Sequence, residues 1–358
     1  MPAPRPTLRS LATIAGVSPM TVSLALRNSR EVSAATRRRI QRLALSHGYR
    51  PDPIVSRLMH HLRQQRPHRF QANIAALTHP WPQRRGPIEG YIERLTKGLT
   101  LRATALGFAF SSFDLDDFTS GDQLQRLLLS RGVEGIVILP LRRATNLNGL
   151  LDWSLFSTVC TTPSLIAPRF HSAMPNHFDN MLAVCRGLTQ AGYNRIGLAV
   201  SSDWNQRVKH RWAGGMAWQN LFGGTHPVPP LVTQQPGPDL EVDIFAAWLV
   251  RERPDAIVID ATSHASLAAG LGHLPKSERP KVVTMNWPDD TCDAGIDQLP
   301  EHLGTATIDV LAGMVARGEK GVPAIPAITM LEGRWVSGKL EEKDRRQKIT
   351  RTPRARAK

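Results

Sequence analysis

The first 69 residues hold thirteen arginines, no lysine and two acids, Glu31 and Asp52, a net charge of +11. Guanidinium groups at that density hold phosphate oxygens, so the segment points to a polyanion and most simply to nucleic acid. The motifs that would signal catalysis are missing or broken. There is no G-x-S-x-G elbow and no H-E-x-x-H helix. Gly313-Met314-Val315-Ala316-Arg317-Gly318-Glu319-Lys320 nearly spells a phosphate loop, but Glu319 displaces Lys320 and no Ser or Thr follows. Gly270-Leu271-Gly272-His273-Leu274-Pro275 lacks the last glycine of a dinucleotide fingerprint. His60-His61 is an isolated pair that fits contact with DNA or solvent better than metal. Cys160, Cys185 and Cys292 form no C-x-x-C pair, so neither a disulfide framework nor a zinc site is expected, and no cofactor.

The arginines sit on a segment with the local signals of three short helices. Leu8, Leu11, Ala12 and Ala15 repeat at helical spacing after Thr7, a candidate cap, and Gly16 ends the run. Ser18 followed by Pro19 opens a second helix through Arg27. Val22 and Leu26 would face inward, leaving Pro19, Met20, Ser23, Leu24 and Arg27 outward. Ser33 caps a third helix, with Ile40, Leu43, Ala44 and His47 on one stripe, ending at Gly48. Two helices joined by Ala15-Gly16-Val17-Ser18 in an arginine-rich head read as a helix-turn-helix, its second helix facing a major groove. A three-helix bundle with no DNA role is the competing reading.

The rest of the 358-residue chain looks different. An apolar fraction of 41% and a charged fraction of 21% are those of a globular protein. No apolar run is long enough to span a membrane, and no signal segment opens the chain, so a bacterial, cytoplasmic and nucleoid-associated protein is expected. Short apolar runs alternate with helical stretches. Strands are expected at 74–77, 108–112, 135–139, 158–161, 196–200, 256–259 and 281–285, and helices at 92–106, 123–129, 180–191, 244–251 and 308–316. That alternation predicts α/β architecture with two doubly wound lobes. The last twenty residues, 339–358, carry a net charge of +6 and only Leu340, Ile349 and alanines as apolar residues, so a basic disordered tail is expected. The divisions are a head at 1–51, a linker at 52–69, a two-lobed core at 70–338 and the tail.

Thr7-Leu8-Arg9-Ser10-Leu11-Ala12 through Ala15-Gly16-Val17-Ser18, then Thr21-Val22-Ser23, Val32-Ser33, Thr36-Arg37 and Gly48-Tyr49-Arg50-Pro51, resemble the headpiece of the lactose-repressor (LacI/GalR) family. Gly132-Val133-Glu134-Gly135, Ala191-Gly192-Tyr193-Asn194-Arg195-Ile196-Gly197 and Pro254-Asp255-Ala256 are similar to its core signatures, in the same order. The resemblance implies a homodimeric repressor with two lobes of periplasmic-binding-protein type. A small-molecule effector, a sugar or related metabolite, would bind between them. Each headpiece would read half of a pseudo-palindromic double-stranded operator through Thr7, Ser18, Pro19, Met20, Thr21, Ser23, Leu24, Arg27, Ser33 and Tyr49. Residues 52–69 would include a hinge helix carrying Arg57 and Leu58, the leucine in the place of the family's minor-groove wedge. An apolar wedge kinks the duplex in return for wider contact.

The departures are chemical. Leu24 replaces an arginine common after Thr-Val-Ser, and Arg27 stands where asparagine is common, so Met20 and Leu24 could meet thymine methyls while Arg27 takes guanine or phosphate. In the cleft, Arg211 matches the family's ligand-binding arginine, Asn286 replaces an aspartate, and Gln298 falls near a crossover between lobes. Ala261-Thr262 replaces an Asn-Asp pair. Tyr91, Trp204, Trp212 and Trp287 complete the expected effector site, the tryptophans as faces for a saccharide ring. On the residues alone, an α/β enzyme or sugar-binding protein with an accessory basic nucleic-acid-binding head is the alternative. The arginine count makes one expectation sharp: log DNA affinity should fall with log salt by about 0.9 per phosphate contact. Full operator affinity in a chain lacking residues 1–69 would refute the assignment of DNA binding to the head.

Overall fold

Serine caps and a glycine stop at Gly16 shape the described head into three helices: α1 (Leu8–Ala15), α2 (Pro19–Leu26) and α3 (Ala34–Ser46). The computed structural model describes residues 8–26, 31–47, 49, 72–79, 87–224, 226–233, 240–260, 264–289 and 291–340. Gly16 takes φ +65°, and Val17 N–H donates to Ala12 O at 3.1 Å while Gly16 N–H donates to Thr13 O at 3.3 Å. These two bonds close a Schellman turn, a geometry an L side chain resists. Ser18 Oγ accepts from Thr21 N at 3.1 Å, and Ser33 Oγ accepts from Thr36 N at 3.3 Å, so both serines cap as expected. Leu11, Ala12, Ala15, Val22, Ala25, Val32, Ile40 and Ala44 form the head's core.

Two expectations about facing need correction. Ala25, not Leu26, is the second fully buried residue of α2, and Leu26 is half-buried. A small residue there lets α3 close in, and Gln41 Nε2 reaches Ala25 O at 3.1 Å. His47 does not continue the stripe on α3; it is exposed at the helix's C-cap.

Beyond the head, two six-stranded sheets form two lobes. The first has the order β13-β7-β5-β3-β1-β2, built from β1 (Ala72–Thr78), β2 (Phe108–Asp114), β3 (Val133–Ile138), β5 (Ser157–Cys160), β7 (His171–Pro175) and β13 (Ile328–Leu331), all parallel. The second has the order β14-β12-β11-β10-β8-β9, from β8 (Ile196–Ser201), β9 (Leu231–Thr233), β10 (Ala256–Ile259), β11 (Lys281–Thr284), β12 (Ala294–Asp297) and β14 (Arg334–Val336). Among the described residues, only β14 runs antiparallel to its neighbour. A small sheet pairs β4 (Thr145–Asn146) with β6 (Leu165–Ala167). Central strands such as Ile196–Ser201 are buried along their whole length, as parallel strands covered on both faces must be.

The chain passes between lobes three times: from β7 into helix α6 (His177–Gln190), from β12 into α11 (Pro300–Arg317), and from β13 to β14. Helix α11 returns to the first lobe and packs along α4 (Pro87–Ala105) with backbones nearly touching. A Cβ on Gly98 would overlap the Glu301 carbonyl, and one on Gly304 would lie 2.6 Å from both Leu95 O and Leu99 N. Leu340 packs on the second lobe and Lys339 N–H donates to Asp293 O at 2.6 Å, so the packed chain runs two residues past Gly338. The proposed linker 52–69 and the tail from 341 lie outside the described residues. Among the described residues, no helix is long and apolar enough to cross a membrane.

The glycine contact yields a test. Gly98→Ala gains helix propensity of about 1 kcal/mol, but it forces α4 and α11 apart. Overpacking of this kind costs typically 1–3 kcal/mol, occasionally more. We expect a net loss of stability in urea unfolding, whereas Ala at the exposed Gly90, which has open space around it, should be neutral or stabilising.

Candidate DNA-reading head and interlobe cleft

On the head, the second helix presents a mixed surface. Met20 is 64% exposed, while Thr21 and Ser23 are half-buried. Pro19 and Ser18 are exposed at the helix start, where backbone N–H groups favour phosphate. Leu24 is half-buried and leans on the head's core, as does Tyr49. On α3, Arg38, Arg39 and Arg42 are exposed, and Arg39 Nη2 also ties down the end of α1 through Ala15 O at 2.9 Å. Thr7, Arg27, Arg57 and Leu58 lie outside the described residues.

The second candidate site lies where the strand ends of the two lobes converge. Pro140, Thr161, Thr162, Pro163 and Pro175 come from the ends of β3, β5 and β7, and Ile88 and Tyr91 from α4. Across from them stand His177, Trp204, Arg207, Val208, Trp212 and Asn286, with Gln298 on the β12–α11 crossover. Parallel α/β sheets bind ligands outside the carboxyl ends of their strands, and here two such edges share one cleft. The cavity between them is about 40 Å³.

The cleft is organised around a stack. Arg207 ends α7 (Ser202–Arg207), one helical turn after Trp204, so its guanidinium lies 4.0 Å from the Trp204 ring centre. Trp204 stacks on Trp212 at 6.1 Å, and Trp212 Nε1 donates to His177 Nδ1 at 3.2 Å. Arg207 is 5% exposed, and its Nε donates across the cleft to Leu141 O at 2.9 Å. Burial pulls its pKa down to about 10, with Asp260 acting the other way. Lys209 and His210, both left-handed at φ 53° and 57°, make the turn into α8 (Arg211–Phe222). Two non-glycine residues in that region cost roughly 1–2 kcal/mol each, strain that holds Arg207 and Arg211 at fixed places on either side.

Asn286 and Gln298 form a second polar unit. Gln298 Nε2 donates to Asn286 Oδ1 at 2.7 Å and to Met285 O. Beside it, Arg94 on α4 donates to Glu301 at 2.8 Å, to Asp297 at 3.1 Å and to Trp287 O at 3.3 Å. The Glu301 bond raises the Arg94 pKa, and the Arg94 bond lowers that of Glu301. His79, Asp114 and Asp116 are spaced so that they could hold a metal ion. His79 Nδ1 lies 2.9 Å from one Asp116 oxygen, and Arg142 donates to the other at 2.7 Å, so a guanidinium already supplies the cation.

Residues 7–52 match the family model described as bacterial regulatory proteins, lacI family. That match covers the head, about one eighth of the chain. Its fold beyond the head is similar to solved structures that share little sequence. A complex of the transcriptional regulator CelR with cellobiose is 21% identical, with 93% of this chain and 98% of that chain covered at a TM-score of 0.55. A lac repressor dimer bound to operator and the anti-inducer ONPF is 17% identical over 94% and 99%, at 0.53. A ribose operon repressor (so described) from Burkholderia thailandensis is 17% identical over 75% and 100%, also at 0.53. No curated protein sequence matches the chain.

Of the cleft residues expected from the lacI-family resemblance, the structure brings Tyr91, Trp204, Trp212, Asn286 and Gln298 together. Arg211 and Trp287 stand aside. Arg211 Nη1 is 3.0 Å from Met174 Sδ, and Trp287 packs its ring toward Gly295 and Gly338. The arginine that lines the cleft is Arg207, and with His177 it is the residue sequence reasoning missed. The Trp204-x-x-Arg207 spacing on a short helix was the available signal.

His177 gives a pH test. Burial, then Arg211 and Arg207, pull its pKa from 6.5 to about 3. The folded chain therefore refuses a proton that the unfolded chain accepts below pH 6.5, so this stability is full above 6.5 and lost as pH falls toward 3. By pH 5 the loss is about 2 kcal/mol, at 1.36 kcal/mol per unit. Between pH 7 and 5, the urea midpoint of wild type should fall further than that of His177→Asn. Equal falls would show that the ring is not buried neutral.

Proposed function

We propose that this protein is a ligand-responsive, sequence-specific transcription regulator, a repressor acting as a homodimer on a pseudo-palindromic operator. One observation carries the reading: a lacI-family head precedes two lobes whose strand ends close on a single cleft lined from both sides. A small metabolite, sugar-sized and bound unchanged rather than turned over, is the effector. Tyr91, Trp204, Arg207, Trp212, Asn286 and Gln298 would meet it, with Arg211 and Trp287 just behind. Ser18, Pro19, Met20, Thr21 and Ser23 face the DNA, joined by Thr7, Arg27, Ser33, Tyr49, Arg57 and Leu58. Leu24 contributes from the edge of that surface, limited by its packing in the head.

The cleft geometry supports a switch. A cavity of about 40 Å³ holds a few waters, whereas metabolite pockets usually measure roughly 300–1,000 Å³. Ligand entry must therefore part the lobes or move the Arg207–Trp204 stack, and either breaks the bond from Arg207 to Leu141. A ligand that favours one lobe arrangement shifts its population by that difference in affinity.

Selection of bound sequences from random duplex DNA tests the reading. We expect an inverted repeat, and a dimer in sedimentation. Met20→Ala should relax preference at one symmetric pair of positions, without changing the salt slope of binding. Recovery of no enriched sequence would overturn the assignment of sequence-specific regulation.

A further inference from the structure

Resting on that reading of the cleft as an effector site, we infer that its ligand is a small organic anion, a carboxylate or phosphate ester, held by Arg207. The cleft's polar groups are weighted toward donors. A guanidinium offers five N–H groups and no acceptor. Asn286 has its oxygen engaged by Gln298 Nε2, which turns its NH₂ group into the chemistry it can offer a ligand. His177 accepts from Trp212 through Nδ1, and an indole N–H can only donate, so the neutral ring carries its proton on Nε2 and donates there. Thr161 spends its hydroxyl proton on Ile138 O at 2.9 Å. Among the described lining residues none is acidic.

A polyol can accept through each hydroxyl oxygen but also brings a donor with each, which needs acceptors in the wall that carboxylates supply best. Among its side chains this cleft offers the Gln298 oxygen and the hydroxyls of Thr161, Thr162 and Tyr91. An oxyanion reverses the demand, accepting several N–H bonds at once, and charge-assisted bonds to a planar guanidinium suit it well. Most of the charged neighbours are cations, with Asp260 and Asp203 acting on Arg207 in the opposite sense. Lys209 lies within electrostatic reach of Arg211 and Arg169, which together with burial lower its pKa, and Arg211 and Arg207 both act on His177. An anion entering here relieves repulsion among cations that the fold has gathered, while Trp204 and Trp212 cover its carbon skeleton.

The test uses the full chain and three probes with the same six-carbon body: glucose, gluconate and glucose 6-phosphate, at matched ionic strength. Binding is read by tryptophan fluorescence and calorimetry. We expect saturable binding of gluconate or glucose 6-phosphate at least tenfold tighter than glucose, the stronger of the two telling carboxylate from phosphate. Arg207→Gln should weaken it at least tenfold. Because Arg207 is buried and its loss could harm folding, Asn286→Asp is the second variant; it keeps the acceptor for Gln298, turns a donor into a negative charge, and should weaken the anion similarly. Glucose binding as tightly as the anions, or no probe binding, overturns the inference. So does anion binding unchanged in both variants, which would place it on the basic head. None of these outcomes touches selection of operator DNA by the unliganded protein, so the regulator reading fails or stands separately.

Discussion

Arg207 leaves water on the second lobe, lies flat on Trp204 and donates its Nε–H to the Leu141 carbonyl of the first. A buried guanidinium tolerates few arrangements, because a charge removed from water must recover its solvation from hydrogen bonds and ring faces. Those partners come from both lobes, so satisfying one side chain fixes the distance between two sheets. The left-handed turn at Lys209 and His210 and the stack through Trp212 to His177 hold the group from behind. His177 stays neutral because it is buried and because Arg211 and Arg207 add to that cost of charging.

The topology explains why the cleft is assembled from so many pieces. Each parallel strand ends at the same rim, and the residues just beyond β3, β5, β7, β8, β11 and β12 supply nearly all of the lining. No single segment contains the site. It exists only when the three passages of the chain between lobes set the two rims against each other, which makes the cleft a natural reporter of lobe arrangement.

What the sequence revealed follows this division. Every expected strand is present, because parallel strands buried on both faces read as plain apolar runs. The strands that escaped notice include two kinds: Ile328–Leu331 and Arg334–Val336 lie at sheet edges, where the apolar signal thins, whereas His171–Pro175 and Ala294–Asp297 are interior and buried but carry polar or small residues that break the apolar run. Helix α8 was hidden by Gly214 and Gly215, which lower helix propensity; Gly215 is needed because a side chain there would meet Met181. The head was legible through its caps and its Gly16 turn, all local chemistry. Arg207 was not, since its role depends on a carbonyl 66 residues away, and the Arg211 that pattern favoured points to Met174.

A hinge needs one side that holds and one that gives, and the two arginine clusters differ in that sense. Arg94 grips Asp297 and Glu301, two carboxylates on the crossover and the helix that follows it, and adds the Trp287 carbonyl of the other lobe. At the far side Arg207 donates a charged hydrogen bond to the first lobe, worth about 1.5–3 kcal/mol, and Arg211 makes a soft contact with Met174 sulfur. Two carboxylates hold Arg94, whereas at the lobe boundary a neutral carbonyl accepts from Arg207. Because Gln298 follows Asp297 directly and holds Asn286, the pivot is also part of the cleft wall. A ligand that replaces the Leu141 carbonyl as partner of Arg207 would release that side while the Arg94 cluster keeps the crossover in register, converting occupancy of the cleft into rotation of one lobe on the other.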